Sequence, residues 1–200
     1  PISKSHALIT MPGASKFYRS NGPLACLSQH FYLDEEATLE WLPQDTIIFP
    51  GANAALRSVF HLHATSTLLA WELYCLGRPV INETFSHGTL ENRLEVWVDG
   101  EPRLIERLHL SGGDLTPVAD HPWVGTLLFY PAREALLDAV RALLAPLENV
   151  GGATLTDDLL SVRFLSHDNL ICQRVMRDIW QSLRPLLTSK TACSPRIWQT

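Results

Sequence analysis

The chain has 200 residues, a formal net charge of −5 from 16 Lys+Arg against 21 Asp+Glu, and a mean hydropathy of +0.04. That length suits one domain, residues 1–200, able to bury most of its apolar surface without staples, and the acidic balance excludes the basic footprint of a nucleic-acid binder. The four cysteines (Cys26, Cys75, Cys172, Cys193) form no CxxC pair, which argues against a disulfide framework or a closed zinc site and fits a reducing cytoplasm. No apolar run approaches the ~18 residues of a membrane span and nothing resembles a signal peptide, so a soluble protein without a membrane partner is expected.

In chain order the dominant period is two. His6–Met11 and Ala25–Leu33 are β-rich and bounded by Pro12-Gly13 and Asn21-Gly22-Pro23. TLEWL stops at Pro43, restarts as TIIF and stops again at Pro50-Gly51, which reads as strand, corner, strand. Between Ala52 and His63 the residues Ala54, Leu56, Ser58, Phe60 and Leu62 share one side, with Arg57, Val59, His61 and His63 on the other. Thr67–Leu76 is apolar on both faces apart from Glu72, and Gly77-Arg78-Pro79 ends it. Arg93–Val98, the turn Asp99-Gly100 and Arg103–Leu110 form a hairpin. Helical spacing appears over Ala132–Leu144, followed by Pro146, and over Asp168–Leu187, with Asp168 as cap and Pro185 kinking or ending the helix. The chain starts at Pro1 and is strand-like by Ala7, as if entering in mid-domain.

Chemistry is sparse. The phosphate-loop, dinucleotide, nucleophile-elbow and HExxH motifs are all absent. Ser86-His87 offers a nucleophile beside a base, but neighbours on an extended chain point apart. His61-x-His63 could ligate one metal ion as part of a small metal-dependent hydrolase, or it could be the polar outer side of an amphipathic strand. Glu72 shares its face with Leu68, Ala70, Tyr74 and Leu76, and Glu106 shares its face with Leu104, Leu108 and Leu110. A buried carboxylate is costly alone, so each should meet an arginine (Arg78, Arg93 or Arg107), a metal ion or a water-filled passage.

Five segments, ITMPGASKFYRS (Ile9–Ser20), LEWLPQDTIIFPGANA (Leu39–Ala54), LGRPVINETFSHG (Leu76–Gly88), NRLEVWVDGEPRLIERLHL (Asn92–Leu110) and PRIWQT (Pro195–Thr200), together closely resemble the urease accessory protein family UreD, also called UreH, of enterobacterial type. The resemblance spans essentially the whole chain. It implies a mainly β fold of short strands stacked in a β-helix-like arrangement, with two α-helices towards the C-terminus, here lacking further N-terminal strands that family members carry. Trp41 and Phe49 would fill the interior of the stack. Asn82-Glu83 stands where many members have Gly-Glu. The implied function is a non-catalytic scaffold that binds urease apoprotein together with UreF and the GTPase UreG and assists nickel insertion, holding no permanent cofactor. Nickel in transit would pass Glu72 and Glu106, with Glu83 as a third candidate, because isolated carboxylates release the ion more readily than a closed Cys/His cage.

Overall fold

The alternation of short apolar runs with Pro and Gly punctuation folds into two stacked β-sheets and a helical layer. The computed structural model describes residues 4–147 and 151–199. The first half is a parallel coil. In a nine-stranded sheet, β1 (His6–Thr10), β4 (Thr38–Leu42) and β7 (Thr67–Arg78) lie side by side, with β2 (Ser15–Phe17) and β5 (Thr46–Ile48) continuing the first two lines. In a four-stranded sheet, β3 (Ala25–Leu33), β6 (Asn53–Leu62) and β9 (Thr89–Val98) stack likewise. The chain passes from one sheet to the other and back, so that His6, Thr38 and Thr67 come into register in the first sheet, and Ala25, Ala54 and Leu90 in the second.

After β7 and β9 the strand direction reverses in both sheets. The Asp99-Gly100 turn pairs β9 with β10 (Glu101–Ser111) antiparallel, as the hairpin pattern anticipates. In the larger sheet β7 also pairs with the short β8 (Glu83–Thr84). Three strands for which the sequence pattern assigns no element then complete that sheet: β11 (Trp123–Tyr130) pairs antiparallel with β7, β13 (Leu159–Ser166) with β11, and β12 (Gly151–Thr156) with β13.

Two sequence-based expectations change here. Pro43 does not make a corner: Trp41 lies opposite Ala70 and Thr46 opposite Tyr74, so β4 and β5 follow the same edge of β7, with one extra residue bulged out between them. A bulge accommodates the missing proline N–H without leaving the sheet. Pro50-Gly51 is the real corner, where Gly51 has φ +79° and its N–H donates to the His87 carbonyl. Nor does Phe49 fill the interior. It packs at the rim against Tyr18 and under the Arg78 guanidinium, whereas Trp41 packs at the edge of the core against Phe31.

The layers follow from β7, which is buried on both faces. Leu68, Ala70, Tyr74 and Leu76 face the four-stranded sheet, where they meet Phe60, Val96, Leu90 and Leu110. Leu69, Trp71, Leu73 and Cys75 face the helices α1 (Glu134–Leu144) and α2 (Asn169–Thr188). Asp168 caps α2 as its position suggests, its Oδ1 accepting from the Leu170 N–H at 2.7 Å. Pro185 does not end α2, which runs on to Thr188. Towards the C-terminus Trp198 packs against Trp71 and Trp180 and donates to Thr10 Oγ1 at 3.1 Å, tying the tail to β1.

Candidate functional site

The period-two alternation of β7 carries Glu72 into the space between the sheets, where it is 9% exposed. Its Oε1 accepts from Ser58 Oγ on β6 at 2.5 Å, and its Oε2 accepts from the Tyr74 hydroxyl at 2.9 Å and from Asn92 Nδ2 on β9 at 3.3 Å. Among the described residues no arginine, lysine or histidine bonds to it. Burial pushes the Glu72 carboxyl above the usual carboxylate range; the bonds from Ser58, Tyr74 and Asn92 oppose that shift, and the like charge of Glu106 adds to it. The Tyr74 phenol is raised well above its ordinary value, by burial first and then by the carboxylate beside it.

Glu106 stands on the inner face of β10, as its spacing indicates, but its partner is none of the three arginines expected. Arg163 on β13 reaches across from the other sheet, donating from Nε to Oε1 at 2.8 Å and from Nη2 to Oε2 at 2.6 Å. Arg78 is engaged with Glu83, Arg93 pairs with Glu95, and Arg107 lines the cavity beside Glu106.

Two cavities flank the Glu72 cluster. One of about 390 Å³ is bounded by Tyr74, Asn92, Glu106, Thr126, Arg163 and Phe164. The other, about 130 Å³, is bounded by Gln29, Trp41, Ser58, Glu72 and Tyr74. Tyr74 belongs to both, and the buried Asn92 Oδ1 has no hydrogen-bond partner. The arrangement gathers oxygen atoms able to hold a cation, several of them neutral, between the sheets.

The remaining sequence candidates lie elsewhere. Glu83, on β8, is held by both donor arms of Arg78 at the surface and lines neither cavity. His61 stacks on Tyr32 on the outer face of the four-stranded sheet, at 4.6 Å between ring centroids, and His63 hydrogen-bonds Thr65 beyond the strand end. Among the described residues no three His, Cys, Asp or Glu side chains are grouped to hold a metal ion, so His61 and His63 gain no third ligand. Ser86 Oγ and His87 Nδ1 do meet, at 3.1 Å, but on an exposed corner, and among the described residues no carboxylate hydrogen-bonds the imidazole.

A family model described as UreD urease accessory protein matches residues 3–199. The chain belongs to the UreD urease accessory protein family. It is 75% identical over 196 residues to the urease accessory protein UreD of Enterobacter sp. (strain 638), an alignment covering 98% of this chain and 72% of that protein. It is 69% identical to the UreD of Klebsiella aerogenes, over 98% of this chain and 72% of the relative, and 52% identical to that of Pseudomonas putida (strain GB-1), over 98% and 71%. The UreD family comprises accessory proteins of urease maturation rather than enzymes, in agreement with the motif resemblance and against the small-hydrolase reading of His61 and His63. Among the described residues no helix is long and apolar enough to cross a membrane.

The raised pKa of Glu72 has a measurable sign. The folded chain keeps that proton at a pH where the unfolded chain, with an ordinary glutamate near 4.3, has lost it. The stability contributed by the protonated form is therefore present in acid and is lost as pH rises through the folded value. A Glu72→Gln variant, neutral at every pH, should gain on the wild type as pH is raised from about 4 to about 8. Urea melts across that range check it, and a constant difference would show that Glu72 titrates like an exposed carboxyl.

Proposed function

We propose that this chain is a urease-maturation scaffold that binds urease apoprotein in the cytoplasm and, with UreF and UreG, assists nickel insertion by offering the ion a passage between its two sheets. The observation that carries the reading is Glu72: a carboxylate buried, among the described residues, without a cationic partner, bonded by neutral groups and flanked by two cavities. Ionised, it would be expensive as a purely structural residue, since a buried charge normally has a counter-ion and burial is what raises its carboxyl. As a station for a divalent cation it gains its counter-ion whenever one passes. Nickel is cargo here, not a resident cofactor. Carboxylate, amide and phenol oxygens hold it weakly enough to exchange, unlike a thiolate and imidazole cage. Glu106 is the second station, whereas Glu83 lines neither cavity.

The test is to co-express urease and its accessory proteins with Glu72→Gln and Glu106→Gln variants of this chain. Co-purification with urease and UreF should persist, and nickel per urease should fall about tenfold, an effect typical of losing a group around a metal site. Normal melting of the variants with nickel-poor urease supports the passage. Fully nickel-loaded urease from both variants ends it.

A further inference from the structure

The cavity lined by Tyr74 and Asn92, both of which bond to Glu72, contains a positive charge. Arg163 crosses from β13 to β10 and takes both oxygens of Glu106 with two near-parallel donors, at 2.8 and 2.6 Å. Both side chains line the 390 Å³ cavity. A divalent cation inside it is repelled by the guanidinium and finds the Glu106 oxygens already occupied. Beyond the pair lie acceptors that suit a cation: the unpartnered Asn92 Oδ1 and the Glu72 carboxylate.

Two features make the pair an exchangeable one. The Arg163 and Glu106 side chains are 42% and 33% exposed, so solvent screens their attraction and opening costs little. Arg163 Nη1 also touches Ser161 Oγ at 3.3 Å, a second acceptor that can retain the guanidinium when it leaves Glu106. The contrast is with Arg184, whose pairing with the fully buried Glu40 leaves it no room to exchange.

We propose that Arg163 is the gate of the passage: the resting occupant of the Glu106 station, displaced when a divalent cation takes the carboxylate. This rests on the passage reading and adds that the station is closed by the chain's own guanidinium. Arg163 thereby acts on the cation through Glu106, as a positioning residue that keeps the station occupied until a competitor of higher charge arrives.

The purified protein, titrated calorimetrically with Ni²⁺ alone, tests it through four forms: wild type, Arg163→Gln, Glu106→Gln and the double variant. Removing a competing, partly exposed ion pair should tighten Ni²⁺ binding about fivefold in Arg163→Gln. The gain should vanish in the double variant, because Glu106 is what the guanidinium was blocking. Arg163→Lys keeps the charge but cannot form the two-pronged contact, so it should fall between wild type and Arg163→Gln, and it serves if Arg163→Gln folds poorly. Binding in Arg163→Gln, or in Arg163→Lys where that variant replaces it, no tighter than wild type, or a gain that survives in the double variant, overturns the gate. The two readings fail separately: nickel-loaded urease from Glu72→Gln and Glu106→Gln ends the passage, whereas nickel-poor urease from those variants together with unchanged Ni²⁺ affinity in the Arg163 variants ends the gate alone.

Discussion

Replacing Arg184 by methionine should lower the unfolding free energy by about 3–5 kcal/mol, the cost of leaving a buried charge without its partner. Glu40 is fully buried on β4, and Arg184 from α2 gives it Nε at 3.1 and 2.9 Å and Nη2 at 2.9 Å. Trp180 Nε1 adds a bond at 2.8 Å and His6 Nε2 lies 2.6 Å away, while the other arm of Arg184 holds the Thr191 carbonyl. Burial pushes the Glu40 carboxyl up, and the bonds from Arg184, His6 and Trp180 outweigh it, so the group is held below the usual range. Its stabilisation is complete above the ordinary glutamate value and is lost as pH falls through the lowered one. Urea denaturation near neutral pH measures the effect. Pairing Arg184→Met with Glu40→Gln should recover much of it, because no unpaired ion then remains. A single-variant loss under about 1 kcal/mol would mean that the pair behaves like a surface one.

Ending the chain after Ser166 should abolish cooperative folding altogether. The helix α2 contributes Cys172, Val175, Met176, Ile179, Trp180 and Leu183 to the core beneath the larger sheet, all buried. At about 1.5–3 kcal/mol for each large apolar side chain, their loss is as large as the about 5–15 kcal/mol by which a domain is stable. It would also uncover Leu69, Trp71 and Leu73 on β7 and strand Glu40 without Arg184 and Trp180. A shortened protein that stays monomeric and melts in one sharp transition would make α2 an appendage.

Much of the fold could be read from the sequence where one face is wet. On β6 the alternation separates Ser58 and Phe60 from the exposed Arg57, and the β9–β10 hairpin announces itself by Asp99-Gly100. Where both faces are covered the signal fails: Trp123–Tyr130 and Leu159–Ser166 are nearly continuous apolar runs, equally readable as strand or helix. That gap hid Arg163. Its one trace was a guanidinium inside an apolar run, which needs a partner somewhere. Glu72 and Glu106 were legible as inward-facing from their own strands. Their partners were not, because Ser58, Asn92 and Arg163 are brought to them by pairings between distant strands that no local period encodes.

The reversal of strand direction after β7 and β9 gives the molecule a polarity. A parallel coil can repeat without limit, as solenoids do, since each turn offers the next an edge of the same sense. Here both sheets turn antiparallel at the same level, β7 against β11 and β9 against β10, so on that side propagation is capped in both sheets together. Among the described residues β1 and β3 end their sheets on the other side, and their outer edges keep the coil's sense. Growth by further turns of the same wrapping is thus possible from one end only, and a strand added there would have to run parallel to β1 or β3 to continue it.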